Sequence, residues 1–520
     1  MKKIILYTLL ISGMATGLFV TQSCNSDIPG FTAYEAYTYS SKDENGGNWV
    51  PILLNSATDV VIPAPSDIAS PEYTAELAEV KNLNSNISAD QQEAIDYWGN
   101  NTTIRWMEIA EVLASKYNLP PSPNADGSYS SPNSANPSQY PYFPFAHPPY
   151  TVRMYAYLSS AIYDAVIASW HYKYEFNRPA PYKNDGSIEA SYPDNDIPSY
   201  PSEDAAIAMA AQKVLNFMFP LEVEYIEAKA EECRNSRKWA GMNVESDLVM
   251  GDSIGSFVAT QFINRAKNDS MKYAQVDGPT YVTMEADADA LWGDQWPHWE
   301  CLEIPQRPVG ITPKYSHVSL WWVDDVEAVR PGPPPAIGSA EYKAAEEELL
   351  DLTKNATQEQ KEMAYFWGDG FGTTTPPGHW NQLAIDYIVG DQFNPLRTAR
   401  TYAYLNTAME DAGIACWDAK YYYMYPRPSQ ANPDIQPLFG IPNFPSYTSG
   451  HSMFSGAASE VLSYIFPSGA SVFEQWAEDA ANSRIYARIH FRFDAEIGLE
   501  KGHAVGTYAV NIAKADGADD

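Results

Sequence analysis

Cysteine is scarce in this chain: four residues in 520, at positions 24, 233, 301 and 416. No C-x-x-C pair, H-E-x-x-H run or EF-hand loop is present, so the sequence offers no zinc or calcium motif, and the three cysteines beyond residue 24 allow one disulfide at most. Positive charge is also in short supply. Lys and Arg total 33 against 66 Asp and Glu, a formal charge of −33, which speaks against a nucleic-acid partner because phosphate neutralisation needs clustered cations. After the first twenty residues no apolar run approaches the roughly 18 residues that span a bilayer. Alternating strand patterns are few, and no self-repeat of about 34 residues is visible.

Aromatics, by contrast, are abundant: 14 Trp, 36 Tyr and 19 Phe, 13% of the chain, with only 19% charged residues against about 25% in an average soluble protein. Such a chain can bury a sizeable core and is not disordered as a whole. Lys2 and Lys3, the apolar stretch up to Val20 and the small residues before Cys24 read as a targeting segment. Residues 1–24 thus resemble a bacterial lipoprotein signal with Cys24 as the lipidated residue, which implies an exported protein anchored to a membrane and facing the periplasm or the cell surface. Residues 25–150 read as a tether and irregular cover, ending in a Pro-, Ser-, Asn- and Tyr-rich stretch over 119–150 that disfavours regular structure. From there Met154, Leu158, Ile162 and Val166, four apart, predict one buried helix face. Further helices are predicted around 203–235, 246–267, 340–353, 357–367, 379–389, 398–422, 450–466, 470–488 and 494–514, with a Pro-, Gly- and Trp-rich excursion over about 268–338. The expected fold is all-α: a helical bundle over 151–338 and a second over 339–520, four-helix-type, decorated by long aromatic loops.

The chemistry concentrates near the C-terminus. Only eight histidines are present, and two of them, His451 and His490, lie among spaced cations. Lys420 ends a helical stretch, and Arg427 sits between two prolines that hold it extended. Ser449-Gly450-His451 opens an apolar helix, with Ser449 as N-cap and Gly450 allowing an anion to approach free amides. Arg484, His490 and Asp494 follow, the carboxylate placed to orient the histidine through its other ring nitrogen. Each piece alone has a plainer reading as a solvated helix end, a helix cap or a structural His–Asp pair. Together, and in order, they suit a tetrahedral oxyanion: cations and amides to hold it, one histidine to bond its central atom, another to move protons.

The pattern K-x6-R-P, S-G-H, S-R-x5-H-x3-D resembles the superfamily of type 2 phosphatidic acid phosphatases and vanadium-dependent haloperoxidases, with Thr448 standing where a proline usually precedes Ser-Gly-His. The resemblance implies that Lys420, Arg427 and Arg484 hold the oxyanion, that Ser449 and the Gly450 amide donate to it, that His451 is the acid/base and that His490 is the covalent ligand or nucleophile. Length favours the peroxidase branch. Phe444-Pro445-Ser446-Tyr447 and His490-Phe491-Arg492-Phe493-Asp494 resemble the vanadium chloroperoxidase type, and Trp417 and Phe444 match positions on its halide side, although plain core packing explains aromatic residues there as well. Phe366-Trp367-Gly368-Asp369-Gly370, followed by His379-Trp380-Asn381-Gln382, resembles the same branch and implies that Asp369 pairs with Arg484. The implied activity is halide oxidation by hydrogen peroxide at His-bound vanadate; the alternative is phosphate monoester hydrolysis through a phosphohistidine.

Gly450-His451-Ser452-Met453-Phe454 lacks the final glycine of a serine-hydrolase elbow and the strand that should precede it. A non-catalytic glycan-binding surface lipoprotein fits the acidic, aromatic composition but gives no reason for the C-terminal constellation. Arg488 and Arg492 join the three site cations in a predicted basic pocket set in an acidic shell, while Glu346, Glu347 and Glu348 read as a solvated helix face.

Overall fold

The structure, a computed structural model, describes residues 34–303 and 306–519. The targeting segment and Cys24 lie outside the described residues. Among the described residues there is no strand, and no helix is long and apolar enough to cross a membrane. Fifteen helices longer than one turn are present: α1 (Pro71–Asn84), α2 (Ala89–Trp98), α3 (Thr102–Tyr117), α4 (Pro148–Phe176), α5 (Glu203–Met218), α6 (Val223–Trp239), α7 (Glu245–Asn268), α8 (Gly278–Trp292), α9 (Ala340–Asn355), α10 (Gln358–Phe366), α11 (Thr375–Gly390), α12 (Pro395–Tyr423), α13 (Gly450–Ile465), α14 (Ala470–Tyr486) and α15 (Arg492–Ala513). The long central helices α4 and α12 pack on each other and are buried nearly throughout their length.

The helices form two copies of one seven-helix unit, α1–α7 and α9–α15, with α8 in the connection. From α4 and α12 onward the copies run in constant register, 247 residues apart (Pro148 to Pro395). Thr151-Val-Arg153-Met-Tyr155-Ala156-Tyr157-Leu158 is answered by Thr398-Ala-Arg400-Thr-Tyr402-Ala403-Tyr404-Leu405. Equivalent residues make equivalent bonds. Arg153 donates through Nε to Asp269 at 2.6 Å and through a terminal nitrogen to the Ala266 carbonyl at 2.8 Å; Arg400 does the same with Asp516 at 2.7 Å and Ala513 at 2.8 Å. Asp164 accepts three consecutive amides, from Ile52, Leu53 and Leu54, as Asp411 does from Trp321, Trp322 and Val323. Buried carboxylates satisfied in this way tie irregular segments to the central helices without leaving orphan donors.

The all-α expectation holds and two bundle-like halves are present, but three readings need correction. Residues 71–117 are not irregular cover: Ser70 and Ser88 cap α1 and α2, and the buried Trp106, Ile109 and Leu113 seat α3. The predicted excursion over 268–338 contains the helix α8. The single helix expected over 203–235 is two, broken around Pro220, which cannot supply the amide a continuing helix needs. The first copy thus starts well before residue 151, and no short repeat was visible because the repeating unit is a whole bundle whose copies differ in loop length, most of all in residues 118–147 before α4 against 391–394 before α12.

Within the second copy α13 and α15 cross at close range. A Cβ at Gly498 would meet the Ser452 Cβ at 2.9 Å and the Ser449 carbonyl oxygen at 3.0 Å, and one at Gly502 would meet the Met453 carbonyl oxygen at 2.4 Å. Glycine at these positions lets α15 lie directly against the first turn of α13, where the candidate site is built.

Candidate active site

Lys420 is at the last turn of α12, Arg427 in the following link, Ser449 and Gly450 at the start of α13, Arg484 in the last turn of α14, and Asp494 in the first turn of α15. His490 is not helical; it lies in the link before α15. Asp494 instead reaches it from the capping box of α15, accepting the Phe491 amide at 3.0 Å while its Oδ2 lies 3.0 Å from His490 Nδ1. Ser446, a residue to which the motif reading gave no role, donates its hydroxyl to the same Asp494 oxygen at 2.5 Å. Burial raises the Asp494 carboxyl to about 6, against the pull of those hydrogen bonds.

Burial, then the charges of Arg427 and Lys420, push His490 well below its ordinary value, so the ring is neutral. With its Nδ1–H assigned to Asp494, the lone pair falls on Nε2, and Arg427 Nη1 donates to it at 3.0 Å. The remaining Arg427 bonds go to the carbonyls of Phe444 and Ile489. Lys420 spends its ammonium on three carbonyls, Pro445 at 2.7 Å, Ser446 at 2.9 Å and Thr448 at 2.5 Å. Arg484 donates to the Ser483 hydroxyl and to the Ala364 carbonyl. All three cations are buried, and among the described residues no carboxylate lies within ion-pair distance of any of them. Burial accordingly lowers Lys420 to about 7 and Arg427 and Arg484 each to about 10. Three desolvated cations without a counter-charge are costly, and the missing partner they specify is an anion.

His451 stands in the first turn of α13 with its Nε2 3.5 Å from Asp369; burial and the neighbouring Arg484 lower it to about 4, against the favourable pull of Asp369. Asp369 does not ion-pair with Arg484 as the resemblance implied. Its carboxylate is 3.1 Å from His379 Nδ1, and although burial opposes ionisation, the hydrogen bonds from His379 and His451 hold it well below the usual carboxylate range. His379, ten residues after Asp369 in sequence, lies in the second turn of α11. The Ser449 amide is occupied by the Asp494 carbonyl at 2.9 Å and its hydroxyl oxygen accepts from the Ser452 amide, so the groups left to face an anion are its O–H and the Gly450 amide at the orphan end of α13. A Cβ on Gly450 would make only ordinary contacts, the nearest at 3.8 Å.

Trp417 and Phe444 pack with ring centroids 4.9 Å apart and planes tilted by 51°, beside Lys420 and Arg427. Trp417 donates its Nε1–H to the Ile311 carbonyl at 3.1 Å, and Trp170, its counterpart in the first copy, donates to the Lys42 carbonyl at 3.1 Å. The shared bond assigns Trp417 to the scaffold. Two cations expected in the pocket lie outside it: Arg492 pairs with Glu348, and Arg488 donates to the carbonyls of Gln436, Leu352 and Tyr486. The Glu348 pairing also shows that Glu346, Glu347 and Glu348 are not simply a solvated face, since Glu346 also accepts from Tyr342 and Asn432.

The family model described as the PAP2 superfamily matches residues 401–517, the stretch that holds Lys420 through Asp494. The chain is 27% identical, over 145 residues, to the vanadium chloroperoxidase of Curvularia inaequalis, a match covering 22% of this chain and 24% of that protein; the chain therefore spans about a quarter of the length of this relative. The fold extends further. A bacterial vanadium-dependent iodoperoxidase structure aligns with a TM-score of 0.57 and 22% identity over 82% of this chain and 97% of its own, and a holo-type bacterial vanadium-dependent chloroperoxidase with 0.51 and 15% over 76% and 99%. These two likenesses establish the fold, including the copy that lies outside the PAP2 match.

Proposed function

We propose that the protein is an exported, lipid-anchored enzyme of vanadium haloperoxidase type, oxidising halide with hydrogen peroxide. The observation that carries this reading is the set of three buried, uncompensated cations around a neutral histidine whose lone pair faces them. That donor set fits a tetrahedral oxyanion such as vanadate. Bound there, vanadate supplies a Lewis-acidic centre that activates peroxide toward halide. The residues do the rest: Lys420, Arg427 and Arg484 neutralise the oxyanion, the Ser449 hydroxyl and the Gly450 amide orient it, His490 Nε2 is its ligand with Asp494 fixing the tautomer, and His451, whose Nε2 lies 3.5 Å from Asp369, is the acid/base. The likeness to vanadium-dependent peroxidases favours this over ester hydrolysis, for which the same pocket would place His490 Nε2 against phosphorus and His451 at the leaving oxygen.

Purified protein assayed for bromination and iodination with vanadate and peroxide, and separately for p-nitrophenyl phosphate hydrolysis without vanadate, tests the reading. Halide oxidation that His490→Ala abolishes supports it. Hydrolysis alone, inhibited by vanadate, replaces it with the phosphatase reading.

A further inference from the structure

The register of 247 residues carries the catalytic constellation back onto the first copy, and the scaffold around it is retained. Lys173, at the place of Lys420, donates to the Pro198 carbonyl at 2.5 Å as Lys420 does to Pro445. Arg237, at the place of Arg484, donates to the Ser236 hydroxyl at 3.1 Å as Arg484 does to Ser483. Ser202 caps α5 and gives its amide to the Asp247 carbonyl at 2.9 Å, as Ser449 does to Asp494. Asp247 accepts the Val244 amide at 2.8 Å, the counterpart of the Phe491 bond. A cleft lined by Lys173, Glu203, Asp204, Arg237 and Asn243 lies where the second copy has its pocket.

What differs is the chemistry inside. Asn243 replaces His490 and Ala180 replaces Arg427, so the ligand nitrogen and one cation are gone. Glu203 and Asp204 replace Gly450 and His451, the two residues at the mouth of α13. Their carboxylates meet the retained cations: Glu203 lies 2.7 Å from Lys173 Nζ and Asp204 3.4 Å from Arg237 Nη1. Lys173 and Arg237 are 1% exposed, yet each has the counter-charge that Lys420 and Arg484 lack.

We propose that the first copy is a latent oxyanion pocket whose anion seat is filled by the protein's own carboxylates, Glu203 and Asp204, held against Lys173 and Arg237. The inference rests on the oxyanion reading of the second copy and deepens it, because it places the anion there between Lys420 and Arg484. No bond is made or broken; the carboxylates and an external tetrahedral anion compete for the same two cations. Removing the carboxylates converts the seat into one for phosphate or another tetrahedral oxyanion.

The test is the number of inorganic phosphates bound per full-length chain, measured by equilibrium dialysis on wild type and on Glu203→Gly/Asp204→Asn. The Asn keeps an acceptor for Thr102, whose hydroxyl donates to Asp204 at 2.8 Å. The variant is expected to bind about one phosphate more than wild type, to gain thermal stability from phosphate through that extra site, and to lose the gain when Lys173→Met is added. A gain from zero to one, rather than from one to two, would sink the reading of the second copy while leaving this one intact. A folded variant with unchanged stoichiometry overturns the proposal, as does a variant that folds neither with nor without phosphate, since its carboxylates would then be ties an anion cannot replace. A variant that folds only in phosphate supports it.

Discussion

At pH 8, binding a tetrahedral dianion will draw close to one proton from solution onto Lys420. In the free protein burial holds this ammonium at about 7, down from 10.5, so about a tenth of it is protonated at pH 8. The gap corresponds to about 5 kcal/mol, at roughly 1.36 kcal/mol per pH unit, which is the scale of the cost of keeping the charge buried without a partner. An anion supplies that partner and returns the group toward its ordinary value, so about 0.9 proton is taken up on binding. Sulfate suits the experiment because it neither gains nor loses a proton near pH 8. Calorimetric titration in buffers of different ionisation enthalpy reads the uptake directly, and Lys420→Gln, which keeps amide donors for the Pro445, Ser446 and Thr448 carbonyls but cannot titrate, removes it. The linkage has a second readout. Between about 7 and 10.5 the unfolded lysine binds a proton that the folded one does not, so Lys420 makes the anion-free protein more stable as pH rises through that window, and saturation with sulfate flattens the slope. Sulfate binding without proton uptake, or equal uptake by the variant, would refute the claim that Lys420 is held as an uncompensated buried group.

Asp494→Asn replaces the charged acceptor shared by His490, Ser446 and the Phe491 amide with a neutral amide oxygen; halide oxidation is expected to fall by about two to four orders of magnitude, read as kcat, with the urea midpoint nearly unchanged. His451 titrates in the fold at about 4 rather than 6.5, so below pH 6.5 the unfolded state binds a proton first and stability declines as pH falls toward 4; urea denaturation at pH 7 and pH 5 will show a loss, at most about 2 kcal/mol, that His451→Gln reduces. Gly498→Ala forces α15 away from Ser449 and Ser452 at the contacts of 2.9 and 3.0 Å; it is expected to cost about 1–3 kcal/mol and to weaken phosphate binding, and wild-type thermal stability and affinity would show the packing argument to be wrong.

Helix positions in the second copy were largely legible because each bears an apolar face and clear punctuation: α13 follows Ser449-Gly450, and α12 runs from Pro395 to the left-handed Met424. The site was legible because its residues keep fixed spacing on those elements. Asp369 was misassigned because sequence spacing locates it but not the direction of its carboxylate, which a backbone at φ +42° turns toward two histidines. Arg488 and Arg492 look identical to site cations as letters; only the fold shows that one is spent on carbonyls and the other on Glu348. The start of the first copy was the largest omission. Its helices α1 to α3 have weak or mixed patterns, since their buried residues include Thr102, Thr103 and Arg105 as well as Ile104 and Trp106, and polar burial of that kind reads as irregular until its partners are known.

The paired architecture makes the molecule a two-member family in itself. Some positions that read the same in both halves, Arg153 with Arg400, Asp164 with Asp411 and Trp170 with Trp417, make equivalent bonds in a copy with no histidine at the ligand position, and so serve the scaffold. Positions that diverged, Asn243 against His490, Ala180 against Arg427, Glu203 against Gly450 and Asp204 against His451, are the ones on which chemistry acted. A substitution at a shared position therefore has an internal control: its twin can be changed in the same background, and a loss of activity seen from only one of the two cannot be ascribed to the scaffold.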